Sequence, residues 1–210
     1  RDQPRSRGLG DVYKRQISTN MADKGYVTDD LVAHYSARAK GGVGLIVTEV
    51  VTVEPTYVYL PGDMSIYDDS FIPGWKKLVD GVHQYGTKIL AQLFHPAYMA
   101  FPVPGTPQLI APSCVGPYYA QSAPRPATIE ELHTIVDQFG QAAHRVQIAG
   151  GDGVEIQCAH AHGLLGGFLT PLYNKRTDEY GGSLDGRLRL CLEVIASVRK
   201  YCGDDFIIDV

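Results

Sequence analysis

Amide and imidazole side chains follow two of the apolar runs in this sequence. Gln92 lies in the run Lys88–Phe94, and Gln157 closes the run GVEIQ, with His160 and His162 a few residues further on. A side-chain amide offers both N–H donors and a carbonyl acceptor. A histidine changes its charge near neutral pH and can donate a proton. Polar groups of these types after several different strands are candidates for a binding or catalytic site.

Short apolar runs alternate along the chain with longer stretches of helical periodicity. The predicted strands are 43–51, 88–94, 153–157 and 206–210, and the predicted helices are 28–41, 69–85, 128–149 and 183–201. This alternation predicts βα units and a parallel sheet. We therefore expect an α/β fold, an incomplete (β/α)8 TIM barrel of about the first five βα units, with its catalytic groups at the carboxyl ends of the strands.

A doubly wound sheet is the competing architecture. It is disfavoured because no G-x-G-x-x-G turn joins a strand to a helix, and because polar groups follow several different strands. A stretch rich in Pro, Gly and Tyr, residues 95–127, shows no periodicity of its own. Loops of that length inside a compact domain usually carry function, so this stretch is expected to border the site.

Composition and charge exclude several classes of function. The formal net charge is -4 and the basic residues are scattered, so the chain offers no basic stripe for a nucleic acid. The four cysteines form no C-x-x-C pair, which favours reduced thiols over a metal or iron–sulfur site. No apolar run is long enough to span a bilayer, and the start of the chain lacks the apolar core of a secretory signal. We expect no nucleic-acid or membrane partner and a cytoplasmic location.

Three segments of the chain resemble the old yellow enzyme and 2,4-dienoyl-CoA reductase family of NADH:flavin oxidoreductases. The longest is 153–190, which reads GVEIQCAHAHGLLGGFLTPLYNKRTDEYGGSLDGRLRL, and the others are 19–50 and 88–96. The resemblance covers nearly all of 17–210, which it implies is the N-terminal part of an FMN-binding barrel, truncated at its C-terminus. Residues 1–16 have no counterpart and are expected to be a foreign or artefactual leader.

The resemblance implies a reaction and a set of site residues. In this family FMN takes hydride from NADH or NADPH and passes it to an electron-poor C=C bond. Gln92 matches the glutamine that contacts the flavin pyrimidine edge, and Ile17, Ser18 and Val50 stand where the first two strands meet the flavin. The expected small-molecule partner is an electrophilic alkene.

The same resemblance places substrate donors after the fourth barrel strand. His160 matches the second member of the family's donor pair, and Gln157 stands at the first position instead of histidine. Such donors stabilise the enolate that forms, as an oxyanion hole does. The tyrosine that often delivers the proton is missing, and the loop is one residue longer. His162 could take its place or be a solvated loop histidine, and further candidates are Tyr98, Tyr118 and Tyr119.

Two other functions remain open from the sequence. One is a flavin-dependent amine dehydrogenase of the same superfamily. The other is a partial barrel without catalytic function, since the resemblance implies three further strands, and the residues expected to hold the flavin phosphate, beyond residue 210. Larger family members carry a downstream iron–sulfur cluster and FAD, which the full-length protein could also have.

Overall fold

The structure, a computed structural model, describes residues 13–14, 18–101, 105, 107–115 and 123–210. Its strands are β1 (Tyr13–Lys14), β2 (Leu45–Thr52), β3 (Met64–Ser65), β4 (Lys88–Phe94), β5 (Ile110–Ala111), β6 (Arg125–Pro126), β7 (Gly153–Ile156) and β8 (Ile207–Asp209). Its α-helices are α1 (Asp29–Lys40), α2 (Ile72–His83), α3 (Ile129–Ile148), α4 (Gly163–Leu169) and α5 (Leu184–Cys202). None of the helices in the described part of the chain combines the length and apolarity needed to cross a membrane.

The main sheet has the strand order β1-β2-β4-β7-β8, and each of these pairs is parallel. The short β3 also pairs with β2, and β5 and β6 form a separate two-stranded sheet. The main strands follow one another across the sheet in chain order, with helices in the connections. A doubly wound sheet reverses its strand order at a switch point, whereas a barrel does not. The sheet is therefore an open part of a (β/α)8 barrel, which confirms the predicted fold class.

Side-chain caps start the helices where the sequence predicts them. Thr28 accepts a hydrogen bond from the backbone N of Leu31 at the start of α1. Thr128 and Glu131 form a reciprocal capping box at the start of α3. Ser183 begins α5 in the same way as Thr28 begins α1. Each cap satisfies a backbone N–H that has no partner within the helix, so the helix starts are encoded locally.

The two faces of the sheet have different neighbours. Side chains of one face, among them Val51, Leu93 and Ile156, belong to the main hydrophobic cluster together with residues of α2, α3 and α5. The opposite face carries Gln92 and Glu155, which are buried but lie outside that cluster. Strand residues alternate between the two faces of a sheet, and in a barrel the helices cover the outer face. Gln92 and Glu155 therefore lie on the face that points to the interior of the barrel.

Two elements lie outside the predicted ones. The structure places a short first strand, β1, at Tyr13–Lys14, inside the segment expected to be foreign; the leader itself stays a prediction. The helix α4 was not predicted, because its sequence GLLGGFL is short and glycine-rich.

Asp152 ties together the starts of β4 and β7. Its carboxylate accepts hydrogen bonds from Nζ of Lys88 at 2.6 Å, from the backbone N of Ile89 at 2.9 Å and from Nε2 of His83 at 2.7 Å. Burial acts to raise the pKa of Asp152, but the hydrogen bonds outweigh burial and hold this pKa below its usual range.

Replacing Asp152 by alanine should lower the free energy of unfolding at pH 7 by about 2 kcal/mol, since it removes hydrogen bonds to a charged group and leaves the backbone N of Ile89 unpaired. The difference from the parent should shrink as the pH falls through the lowered pKa, where the parent carboxyl loses its charge. Urea denaturation across this pH range measures both effects. Asp80→Ala is the control, because it removes only an exposed ion pair to Lys76. Equal losses in the two variants would contradict the assigned role of Asp152.

Candidate active site

Three strands bring Val50, Gln92 and Glu155 into one row near their carboxyl ends. Val50 pairs in register with Gln92, and Gln92 pairs with Glu155, after a register shift between Val47 and Val50. All three side chains of the row are buried. Nε2 of Gln92 donates a hydrogen bond to the Glu155 carboxylate, which fixes the orientation of the amide. The structure therefore brings together two of the four residues expected to contact the flavin.

The segment after β1 reaches this row through Glu49, the residue before Val50. The backbone N and Oγ1 of Thr19 both donate to the Glu49 carboxylate, the hydroxyl at 3.0 Å. Ser18 is half-buried and hydrogen-bonds Asp63. Ser18 and Thr19 are thus each held by one acidic side chain, Asp63 and Glu49 respectively, and Glu49 directly precedes Val50 of the row. Ile17 lies outside the described residues.

A tight loop after β7 carries Gln157 and His160. Oε1 of Gln157 accepts a hydrogen bond from the backbone N of Ala159 at 2.9 Å, so the NH2 end of this amide is the part that can donate to a ligand. His160 and Ala161 both have left-handed backbone angles, with φ of 62° and 54°. The hydroxyl of Tyr98 donates to the carbonyl of Ala161 at 2.6 Å and holds this turn. His160 is exposed to solvent on this turn, and its contact with the substrate stays a prediction.

His162, two residues further on, is half-buried against the end of β4. Its ring stacks on Phe94, with ring centroids 5.2 Å apart, and its Nε2 lies 3.3 Å from the hydroxyl of Tyr59. Tyr59 also packs edge-on against both rings. Phe94 is two residues after Gln92 on the same strand and therefore points to the same face. His162 and Tyr59 thus extend the row of Gln92 toward the loops.

Burial lowers the pKa of His162, and the neighbouring His160 lowers it further. His162 is therefore a neutral imidazole at pH 7, able to donate from one nitrogen and accept at the other. Tyr59 was not predicted as a site residue, because it precedes a Pro-Gly pair in a connection with no periodicity. Of the tyrosines that were predicted, Tyr98 is buried beneath the loop, and Tyr118 and Tyr119 lie outside the described residues.

The row suits the pyrimidine edge of FMN. Gln92 presents a buried amide in an orientation fixed by Glu155, next to the apolar side chain of Val50. A ring edge that alternates carbonyl and N–H groups needs such a mixed donor and acceptor. Gln92, the backbone of Val50 and the hydroxyl of Ser18 are the residues that would hold it.

Two further titratable side chains are buried close to the strand ends. His95 directly follows β4, is fully enclosed, and its Nδ1 has no hydrogen-bond partner; burial lowers its pKa to about 3. Asp63 accepts a hydrogen bond from the backbone N of Leu60 at 3.1 Å, while its Oδ1 has no partner. Burial and then the charge of Glu49 raise the pKa of Asp63 to about 7. Both groups are therefore mainly or partly uncharged at neutral pH.

The open sheet and its interior polar row define a (β/α)8 barrel protein with its site at the carboxyl ends of the strands. The chain belongs to the NADH:flavin oxidoreductase / NADH oxidase family, whose family model matches residues 16–210. This confirms the resemblance drawn from the sequence motifs.

Individual relatives agree with this membership. The chain is 37% identical over 193 residues to an NADH oxidase of Thermoanaerobacter brockii, covering 90% of this chain and 30% of that protein. It is 34% identical over 206 residues to an N,N-dimethylglycine/sarcosine dehydrogenase of Chromohalobacter salexigens, covering 94% of this chain and 29% of the relative. Its structure is similar to that of morphinone reductase, with a TM-score of 0.87 and 30% identity over 95% of this chain and 59% of the other. The chain thus spans about 30% of the length of the NADH oxidase and of the dimethylglycine/sarcosine dehydrogenase.

Proposed function

We propose that the protein to which this chain belongs is an FMN-dependent oxidoreductase that uses NADH or NADPH to reduce an activated C=C bond. The observation that carries the proposal is the continuous row formed by Gln92 and the cluster of Tyr59, Phe94 and His162 on one face of the strand ends. Fixed amide and neutral imidazole donors at the carboxyl ends of barrel strands are what a polarised carbonyl substrate needs. FMN, when bound, would supply the redox chemistry.

The residues of the chain have separate tasks in this proposal. Gln92, Val50 and Ser18 orient the flavin ring edge. The NH2 end of Gln157 and the imidazole of His162 donate hydrogen bonds to the carbonyl oxygen of the substrate, where negative charge develops. The hydroxyl of Tyr59, held 3.3 Å from Nε2 of His162, can hold a proton at the mouth of the site.

An amine dehydrogenase is the second candidate, favoured by the likeness to the dimethylglycine/sarcosine dehydrogenase. An amine substrate carries N–H groups that require acceptors in the site, and it must lose a proton, whereas an enone requires donors. The neutral imidazole of His162 and the amide of Gln157 supply N–H donors, which support the enone as substrate. The electrophilic alkene therefore remains the proposed small-molecule partner.

The two candidates predict opposite outcomes in one experiment. The purified protein is loaded with FMN, and NADPH or NADH oxidation is followed with 2-cyclohexen-1-one under anaerobic conditions; reduction of an artificial electron acceptor is followed with sarcosine. We expect enone-dependent NAD(P)H oxidation, with the saturated ketone as product, and no sarcosine oxidation. Turnover of sarcosine without enone reduction would establish the second candidate. Failure to bind FMN at all would contradict both and support the inactive partial barrel.

A further inference from the structure

Two cysteines meet directly beneath the loop that carries Gln157 and His162. Sγ of Cys158 lies 3.4 Å from Sγ of Cys191, although the two residues are 33 positions apart in the chain. Cys158 follows Gln157 at the end of β7, and Cys191 is on the buried face of α5. Both are free thiols in the structure.

We propose that Cys158 and Cys191 form a reversible disulfide under peroxide, which makes the active-site loop sensitive to oxidation. A disulfide has an S–S distance of about 2.05 Å, so the two sulfurs need to approach by only about 1.4 Å. A change of that size can come from side-chain rotation and a small shift of the loop. The other two cysteines have no such partner: Cys114 is exposed, and Cys202 is buried at the far end of α5.

The oxidation balances with hydrogen peroxide as the only oxidant. One thiolate attacks an oxygen of the peroxide; an S–O bond forms, the O–O bond breaks, and one water leaves with the sulfur now a sulfenic acid. The second thiol attacks this sulfur; the S–S bond forms and the hydroxyl leaves as a second water. Two thiols are oxidised and one peroxide is reduced to two waters.

The surroundings determine how fast this reaction can be. The hydrogen bond to Cys191 and burial both raise the pKa of Cys158, and only the thiolate is nucleophilic. The pair should therefore react over minutes to hours, faster at higher pH, and after a local opening of the loop. Such an opening is feasible because His160 and Ala161 have left-handed backbone angles, which are unfavourable for residues with a side chain.

The consequence of the bond follows from the position of Cys158. Gln157, immediately before it, presents the amide proposed to meet the substrate, and Oε1 of Gln157 is tied to the backbone N of Ala159, immediately after it. A covalent link from Cys158 to α5 restrains Gln157 and Ala159, the two residues that this hydrogen bond joins. We expect the oxidised loop to lose conformational freedom and the orientation of Gln157 to change.

Peptide mapping tests the proposal without any assay of the flavin reaction. The protein is incubated at pH 8.5 with a few molar equivalents of hydrogen peroxide, alkylated under denaturing conditions, and digested with trypsin without reduction. Cleavage after Arg145, Lys175, Arg189 and Arg199 places Cys158 in peptide 146–175 and Cys191 in peptide 190–199. We expect these peptides joined, at a mass two hydrogens below their sum, and separated again by dithiothreitol.

Single substitutions separate a specific pair from random oxidation. Cys191→Ser should abolish the joined peptide, whereas Cys114→Ser and Cys202→Ser should leave it unchanged. Hydrogen exchange of the loop should slow on oxidation in the parent and not in Cys191→Ser. Recovery of both Cys158 and Cys191 as alkylated thiols, while Cys114 is oxidised, would overturn the proposal, as would crosslinks that join Cys158 to any other cysteine.

Discussion

Replacing His162 by alanine should lower kcat/KM for enone reduction by about 100-fold or more, while FMN binding stays unchanged, because removal of one donor to a developing oxyanion has an effect of this size. His162 is the half-buried histidine of the loop, stacked on Phe94 and in contact with the hydroxyl of Tyr59. Its side chain extends the row of Gln92 toward the loops. Steady-state kinetics and flavin fluorescence measure the two quantities separately.

The matched control for this variant is His160→Ala, two positions earlier in the same loop. His160 is exposed, so its loss should change kcat/KM less than about threefold. Tyr59→Phe keeps the ring that packs on His162 and removes only the hydroxyl, so its effect should fall between the two. A larger loss in His160→Ala than in His162→Ala would instead support His160 as the substrate donor, as the motif resemblance implies.

The buried groups His95 and Asp63 should give the folding free energy two opposite dependences on pH. The pKa of His95 is about 3, below its usual value of about 6.5, so only the unfolded chain takes up this proton as the pH falls below 6.5. The free energy of unfolding then decreases by up to about 1.4 kcal/mol for each pH unit. The pKa of Asp63 is about 7 in the folded protein, against a usual value of 3.8. As the pH falls from 7 to about 4, the folded protein therefore takes up this proton before the unfolded chain does, and the free energy of unfolding increases.

Substitutions should expose each of these dependences. Between pH 7 and pH 5, His95→Phe should gain about 2 kcal/mol of unfolding free energy relative to the parent, and Asp63→Asn should lose about 2 kcal/mol. Phenylalanine keeps a ring next to Tyr57 and removes the unpaired Nδ1. Urea denaturation at both pH values measures the difference, with the exposed His144→Gln as the control. Parallel pH profiles for His95→Phe and the parent would show that His95 gains a proton in the folded protein.

Local sequence signals determined the elements of this fold. The caps at Thr28, Thr128 and Ser183 depend on hydrogen bonds within one helical turn, and the structure confirms all three. The strand Lys88–Phe94 was predicted with its observed bounds, because a continuous apolar run between turns can be buried on both faces. The alternation of these elements was enough to predict a parallel sheet, because connections between parallel strands need a crossover. The barrel was favoured over a doubly wound sheet by the polar groups after several different strands and by the absence of a G-x-G-x-x-G turn from the sequence.

Only the tertiary structure decided where α4 lies and why it is rich in glycine. A side-chain carbon at Gly167 would come within 2.8 Å of the Tyr98 ring, and one at Gly166 would come within 3.0 Å of the carbonyl oxygen of Ala159. Gly167 allows close packing against a residue distant in sequence and Gly166 against the preceding loop, although helix propensity alone disfavours both glycines. A local pattern carries no information about that packing, so the helix was missed.

The same reason separates the two histidines of the candidate site. The sequence placed His160 and His162 in the loop after β7 and identified Gln92 by its strand. Which imidazole meets the row depends on the left-handed turn at His160 and Ala161 and on the contact of His162 with Phe94. The hydrogen bond from the Tyr98 hydroxyl to the Ala161 carbonyl holds that turn, and stacking on Phe94 holds the His162 ring; both partners are distant from the loop in sequence. The sequence therefore determined the types of chemistry available, and the packing of separate strands decided which side chain can perform it.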